Sequence, residues 1–164
     1  MEVLILMRHG KAVRPEEAKS DKARGLTERG RRDAREAGGI LAAAGLKPDR
    51  ILVSSAVRTR ETHAALAASF SRKPDYVDTL YMAEAGGVWA EAAASGGDVV
   101  MVIGHNPGMH DLAADLIAQA HDRSALGATI SKHMPTAGYA AFSLSGSTLK
   151  AAGPRLLSAW SPKD

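Results

Sequence analysis

The chain has 164 residues, 45% hydrophobic and 24% charged, which fits a water-soluble globular protein with a proper core. It has no cysteine, so disulfides and cysteine–zinc sites are excluded. A net charge of +3 with no long Lys/Arg block among aromatics gives no support for nucleic-acid binding. The apolar residues 2–7 are too few to span a membrane and follow no basic segment, so the expected location is the cytoplasm.

Residues 2–8 read as a first strand, followed by a polar loop from Gly10 to Gly25. Thr27 is a plausible N-cap for a helix running to about Ala44, and Gly45 is the usual stop. Pro48-Asp49 turns the chain into a short strand, Ile51-Leu52-Val53, ending in Ser54-Ser55. A helix from Arg58 to Ser69, a brief strand at Tyr76-Val77 and a helix from Trp89 to Ala94 come next. Residues 98–104 form another strand, and Met109 to Ala120 a helix with Leu112, Leu116 and Ile117 facing inward. Tyr139 to Leu144, then Gly146 and Thr148-Leu149-Lys150, read as a hairpin closing the sheet. No repeat, linker or low-complexity tract interrupts the chain. The expectation is one α/β domain over residues 1–164, a three-layer sandwich with a mostly parallel central sheet and helices on both faces.

Two junctions carry the chemistry. Val3-Leu4-Ile5-Leu6-Met7 runs into Arg8-His9-Gly10, and Val99-Val100-Met101-Val102-Ile103 runs into Gly104-His105-Asn106-Pro107-Gly108. Continuous apolar runs of this length read as strands buried on both faces, hence as neighbours in a parallel sheet. Ligands of such sheets bind outside the carboxyl ends of the strands, so the two histidines are expected to share one crevice. A neutral imidazole is a competent nucleophile toward phosphorus, and an adjacent guanidinium matches phosphoryl oxygens in pairs. A lone histidine at a strand end is more often structural; His9 is singled out by its position beside Arg8.

Ser54-Ser55-Ala56-Val57-Arg58-Thr59 is the third element. Its plain reading is a capped turn into a solvated helix. Its functional reading puts Arg58 on the first helical turn at the same sheet edge as His9, where the helix N-terminus also favours an anion. His105 would stabilise charge that grows in the transition state. Among the other histidines, His63 reads as surface or packing. A metal site at His110-Asp111 has little support, and His121 and His133 indicate nothing. No metal and no cofactor are expected.

Arg8-His9-Gly10, Leu26-Thr27-Glu28-Arg29-Gly30, Ser54-Ser55 with Arg58-Thr59 and Thr62, and Gly104-His105-Asn106-Pro107 resemble the motifs of the histidine phosphatase superfamily, the phosphoglycerate-mutase-like group. Leu80-Tyr81, Met134-Pro135-Thr136-Ala137-Gly138 and the small size are similar to its compact SixA-type phosphohistidine phosphatases. The resemblance covers residues 2 to about 150. It implies that His9 is transiently phosphorylated, with Arg8, Arg58 and His105 completing the phosphate pocket. Arg24 and Asn106 are the implied substrate-binding residues.

One departure bears on the substrate. Many members carry a glutamate general acid after the third strand, often in Leu-Tyr-Glu-Ala, whereas this chain reads Leu80-Tyr81-Met82-Ala83-Glu84. Met82 cannot donate a proton, and the sequence leaves open whether Glu84 substitutes or is a solvated loop acid. Losing a general acid typically costs ~10²–10⁴ in rate, most for a basic alkoxide leaving group. Imidazole leaves far more easily, and the chain has no insertion long enough for a lid. The expected activity is therefore metal-independent hydrolysis of phosphohistidine on a protein substrate. The alternatives are a broad acid phosphatase for small phosphate monoesters, a mutase (less favoured, for want of a lid), and a non-catalytic phosphate-binding module.

Overall fold

The computed structural model of the chain describes residues 1–144 and 153–163. Its centre is a six-stranded sheet in the order β3-β2-β4-β1-β5-β6. The strands are β1 Val3–Arg8, β2 Arg50–Ser54, β3 Asp75–Val77, β4 Val99–Gly104, β5 Tyr139–Ser143 and β6 Arg155–Trp160. β1 pairs in parallel with β4, β4 with β2, and β2 with β3, while β5 and β6 are antiparallel.

Alternation along β1 and β4 builds two cores. Leu4, Leu6, Val100 and Val102 face one side, where α3 (Ala85–Ala94), α4 (Gly108–Gln119) and α5 (Ala125–Lys132) pack through Val88, Ala92, Leu112, Leu116 and Ile130. Ile5, Met7, Met101 and Ile103 face the other side, covered by α1 (Glu28–Ala43) and α2 (Val57–Leu66) through Ala34, Ala37, Leu41 and Leu66. These are the expected three layers. Because both faces are covered, central strands are apolar throughout rather than alternating. The spacing of Ala34, Ala37, Gly38 and Leu41 presents one small, apolar stripe, and Thr27 caps α1 by accepting from the Gly30 amide at 3.0 Å.

The helix after β1 leaves toward one face, and the helix after β4 leaves toward the opposite one. The two central parallel strands thus end at a switch point, where a crevice opens between diverging connections. β1 and β4 pair from Val3 opposite Val99 to Arg8 opposite Gly104, so His9 and His105 emerge side by side.

Several sequence expectations shift. The return strand expected at Thr148-Leu149-Lys150 falls partly or wholly on residues 145–152, outside the described residues, and the strand paired with β5 is Arg155–Trp160. α2 ends at Leu66 rather than Ser69, and α3 begins at Ala85 rather than Trp89, its first turn hidden by Gly86-Gly87. α5 was not expected from the sequence. It is eight residues long with a glycine and two β-branched residues, although Ser124 caps it through the Gly127 amide. The polar loop contains two three-residue 3-10 turns, Pro15–Glu17 and Asp21–Ala23.

The loop after β1 lies directly on the first turn of α1. A Cβ on Gly30 would meet the Lys11 carbonyl oxygen at 2.3 Å, and one on Gly10 the Gly30 oxygen at 2.6 Å. Helix propensity favours alanine over glycine, but backbone atoms at this distance cannot move aside cheaply. Gly30→Ala is expected to destabilise the protein by about 1–3 kcal/mol. Gly39→Ala, on the exposed side of the same helix with nothing within 4 Å, is expected to stabilise it by up to about 1 kcal/mol. Urea midpoints of the two variants check this; a Gly30→Ala protein as stable as wild type would contradict it.

Candidate active site

A crevice of about 530 Å³ opens at the carboxyl ends of β1 and β4, lined in part by Arg8, His9, Arg24, Arg58, His105 and Asn106. All six residues expected from the sequence to bind or react therefore share it. Met82 lies on its rim, half exposed, with its backbone in the left-handed region at φ 54°. Glu84 is exposed and is not among the lining residues.

His9 is almost fully buried. Its Nδ1 lies 2.7 Å from the Gly10 carbonyl, which can only accept, so Nδ1 holds the proton and Nε2 the lone pair. That lone pair faces Arg58, whose Nε donates to it at 3.3 Å. The His9 backbone is fixed from both sides. Its amide donates to the Gly104 carbonyl at 3.1 Å, and its carbonyl accepts from the Ala137 amide at 3.0 Å. Thr62 ties the next residue down, accepting from the Gly10 amide at 2.9 Å and donating to the Arg58 carbonyl at 2.6 Å.

The His105 ring centroid lies 5.3 Å from that of His9. Its Nδ1 accepts from Arg58 Nη2 at 3.2 Å, leaving the Nε2 proton to the Ser54 hydroxyl at 2.8 Å. Arg58 is thus shared between both imidazoles, and its own anchors are on Asp21. Nη1 donates to the Asp21 carbonyl at 2.6 Å and Nη2 to its Oδ2 at 3.0 Å. Arg8 donates through Nη1 to the Met134 carbonyl at 3.0 Å, while its buried Nε has no partner among the described residues. Asn106 Nδ2 donates to the same carbonyl at 3.0 Å, so Asn106 braces the wall beside Arg8. Arg24 bonds Val13 and Asp21.

Asp21 and Lys11, which the sequence did not mark, also line the crevice, as do Tyr81 and Thr136, which entered only as parts of the resembling motifs and without a site role. The Asp21 carboxylate accepts from Arg58, Arg24 and the Tyr81 hydroxyl, the last at 2.7 Å. Nothing in a polar loop marks this aspartate, since two of its three partners, Arg58 and Tyr81, lie 37 and 60 residues away. Of the remaining histidines, His63 is packed inside, and His110 bonds the Ser131 carbonyl at 3.0 Å.

A model of the histidine phosphatase superfamily, branch 1, matches residues 4–89, which carry Arg8, His9 and Arg58. The chain belongs to this superfamily. An uncharacterized protein of Mycobacterium tuberculosis is 34% identical over 142 residues, 85% of this chain and 88% of that one. Among solved structures, a candidate phosphohistidine phosphatase SixA from Nakamurella multipartitia is 32% identical, with a TM-score of 0.81 over 98% of this chain and 96% of that one. Another, from Agrobacterium tumefaciens, is 28% identical, with a TM-score of 0.80 over 98% of both chains.

The charge pattern of this histidine phosphatase site has a measurable consequence. Burial first, and then the neighbouring cations, push His9 down to about 3 and His105 down to about 4 from an ordinary 6.5. Both rings are neutral in the fold, and the unfolded chain takes up the protons. Stability is therefore unaffected by these groups above about pH 6.5 and is lost as pH falls toward 4. Each histidine contributes up to about 1.4 kcal/mol per pH unit to that slope. Urea unfolding between pH 4.5 and about 7 is expected to show a shallower acid slope in His9→Ala than in wild type. Identical slopes would mean that His9 is not held neutral.

Proposed function

We propose that the chain is a phosphatase that works through a transient phosphoryl group on His9 Nε2 and acts on phosphohistidine of a protein. The observation that carries this reading is the His9 lone pair, oriented by the Gly10 carbonyl and aimed at the Arg58 guanidinium. Around it stand Arg8, Lys11 and Arg24. Burial and then Arg58 hold the Arg8 guanidinium below its ordinary value, an unfavourable crowding of positive charge that a phosphoryl dianion relieves. These cations meet the oxygens in pairs and do not require a metal ion.

In the first step Nε2 of His9 forms a bond to phosphorus as the bond to the leaving group breaks, and the leaving group takes the electron pair. In the second, water attacks phosphorus, the bond to Nε2 breaks, and inorganic phosphate leaves with the water's proton passing to phosphate or solvent. Arg8, Arg58 and His105 stabilise the charge spread over the phosphoryl oxygens.

The rim of the crevice supports this substrate class. Met82 stands on the rim where a proton donor would serve an alkoxide, and Glu84 lies outside the lining. An imidazole leaving group needs no such donor. The half-exposed rim is also compatible with a phosphorylated side chain presented on the surface of another protein.

His9→Ala is expected to abolish turnover and the acid-labile phosphoenzyme while the protein stays folded. A folded variant that keeps substantial activity would overturn the mechanism. Wild type should turn over a phosphohistidine protein and phosphoramidate well, activated aryl phosphates less well and sugar phosphates barely, and chelator should leave the rates unchanged. Met82→Glu is expected to raise alkyl-ester turnover selectively, by about tenfold or more. Faster hydrolysis of a sugar phosphate than of a phosphohistidine protein would favour the broad-phosphatase reading. Oxyanion binding without any turnover would favour a phosphate-binding module.

A further inference from the structure

The crevice contains one acidic side chain among its lining residues, and that acid sits beside the nucleophile's arginine. Asp21 lines the same wall as Arg8, Lys11, Arg24 and Arg58, all of which suit an anion, whereas Asp21 repels one. Three donors hold it. Oδ2 accepts from Arg58 Nη2 at 3.0 Å and from the Tyr81 hydroxyl at 2.7 Å, and Oδ1 accepts from Arg24 Nη1 at 3.0 Å. A carboxylate has about four lone-pair positions, so one on Oδ1 remains open. The side chain is 49% exposed and lines the crevice.

The hydrogen bonds from Tyr81 first, then Arg24, hold the Asp21 carboxyl well below the usual carboxylate range. That shift favours the ionised form, which has no proton to give to a departing oxygen. It is an acceptor. One guanidinium separates it from the attacking nitrogen, because Arg58 touches His9 through Nε and Asp21 through Nη2.

We propose that Asp21 is a specificity-determining residue, whose carboxylate accepts the ring N–H of the phosphorylated imidazole from which His9 takes the phosphoryl group. The inference rests on the phosphohistidine reading above. A phosphorylated imidazole carries one ring nitrogen bonded to phosphorus and a second that can hold a proton. When Nε2 of His9 bonds to phosphorus, the old P–N bond breaks and its electron pair stays on the substrate ring. With the second nitrogen protonated, that ring leaves as neutral imidazole instead of imidazolate. The hydrogen bond to Asp21 keeps the proton there until the bond breaks. An alkoxide offers Asp21 no proton and meets its negative charge, so the same residue selects against esters.

Asp21→Asn keeps the shape and a carbonyl oxygen for the anchoring donors but removes the charge. Its kcat/KM for a phosphohistidine peptide is expected to fall by about 10- to 100-fold more than that for p-nitrophenyl phosphate, the worth of a charge-assisted hydrogen bond, since both substrates share whatever Arg58 loses with its anchor. Inhibition by inorganic phosphate should be at least as strong as in wild type. Equal losses on both substrates with weakened phosphate inhibition would overturn the proposal and make Asp21 a clamp for Arg58. An unchanged phosphohistidine rate would overturn it as well. A second measurement uses wild type alone, comparing phosphoimidazole with the analogue methylated on the second ring nitrogen. The analogue keeps the positive charge but lacks the N–H, and it is expected to react about tenfold more slowly or worse. Equal rates would overturn the proposal. Wild type inactive on both the phosphohistidine peptide and phosphoimidazole would instead overturn the substrate reading itself.

Discussion

Arg58 is the charge around which the site is assembled. Its guanidinium is nearly buried and donates to both imidazoles and to the carbonyl and carboxylate of Asp21. A rigid fork of donors imposes direction on every acceptor it meets. It fixes which nitrogen of His105 holds the proton, and it faces the bare nitrogen of His9. The cation also opposes protonation of both rings, as burial does, which keeps the Nε2 lone pair of His9 free in weakly acidic solution. Buried cations of this kind are costly unless they are matched, and Asp21 supplies the match on the side away from His9.

The fold delivers these groups by simple means. Parallel pairing of β1 with β4 in register fixes the spacing of the two histidines, and β2 delivers Arg58 through the helix that follows it. No long loop has to find its place for these three residues. The polar segment after β1 is different, because its far part is held at the site by a short turn at Asp21–Ala23 pinned by Arg58, Arg24 and Tyr81. The central sheet sets the chemistry, and the pinned turn adds the acidic counterpart.

What the residues alone disclosed follows the same division. Strand-length apolar runs ending in Arg8-His9 and Gly104-His105 predicted adjacent buried strands, because two-sided burial leaves a distinctive unbroken pattern. Arg58 could be placed from the serine turn that precedes its helix. Asp21 and Tyr81 could not, since their importance arises from partners remote in sequence and a three-residue turn has no periodicity. α5 stayed hidden for a related reason: Gly127 and β-branched Thr129 and Ile130 weaken local propensity, and the helix is held by packing of Ile130 in the core. Asn106, expected to touch substrate, lines the crevice and bonds a main-chain carbonyl through its amide nitrogen, a contact between positions 28 residues apart that the sequence does not announce.

The Met134 carbonyl links the crevice to the antiparallel edge of the sheet. Arg8 and Asn106 both hang on it, while the Ala137 amide and the Gly138 carbonyl hold His9 and Arg8 just before β5 begins. Fraying of the β5–β6 edge that reached these residues would release the anchors of Arg8, His9 and Asn106 in the same local opening. A bound oxyanion that grips Arg8 raises the free energy of that opening by mass action. Slow amide exchange would then spread from the crevice into strands that never touch the ligand, making the outer edge of the sheet a remote reporter of occupancy.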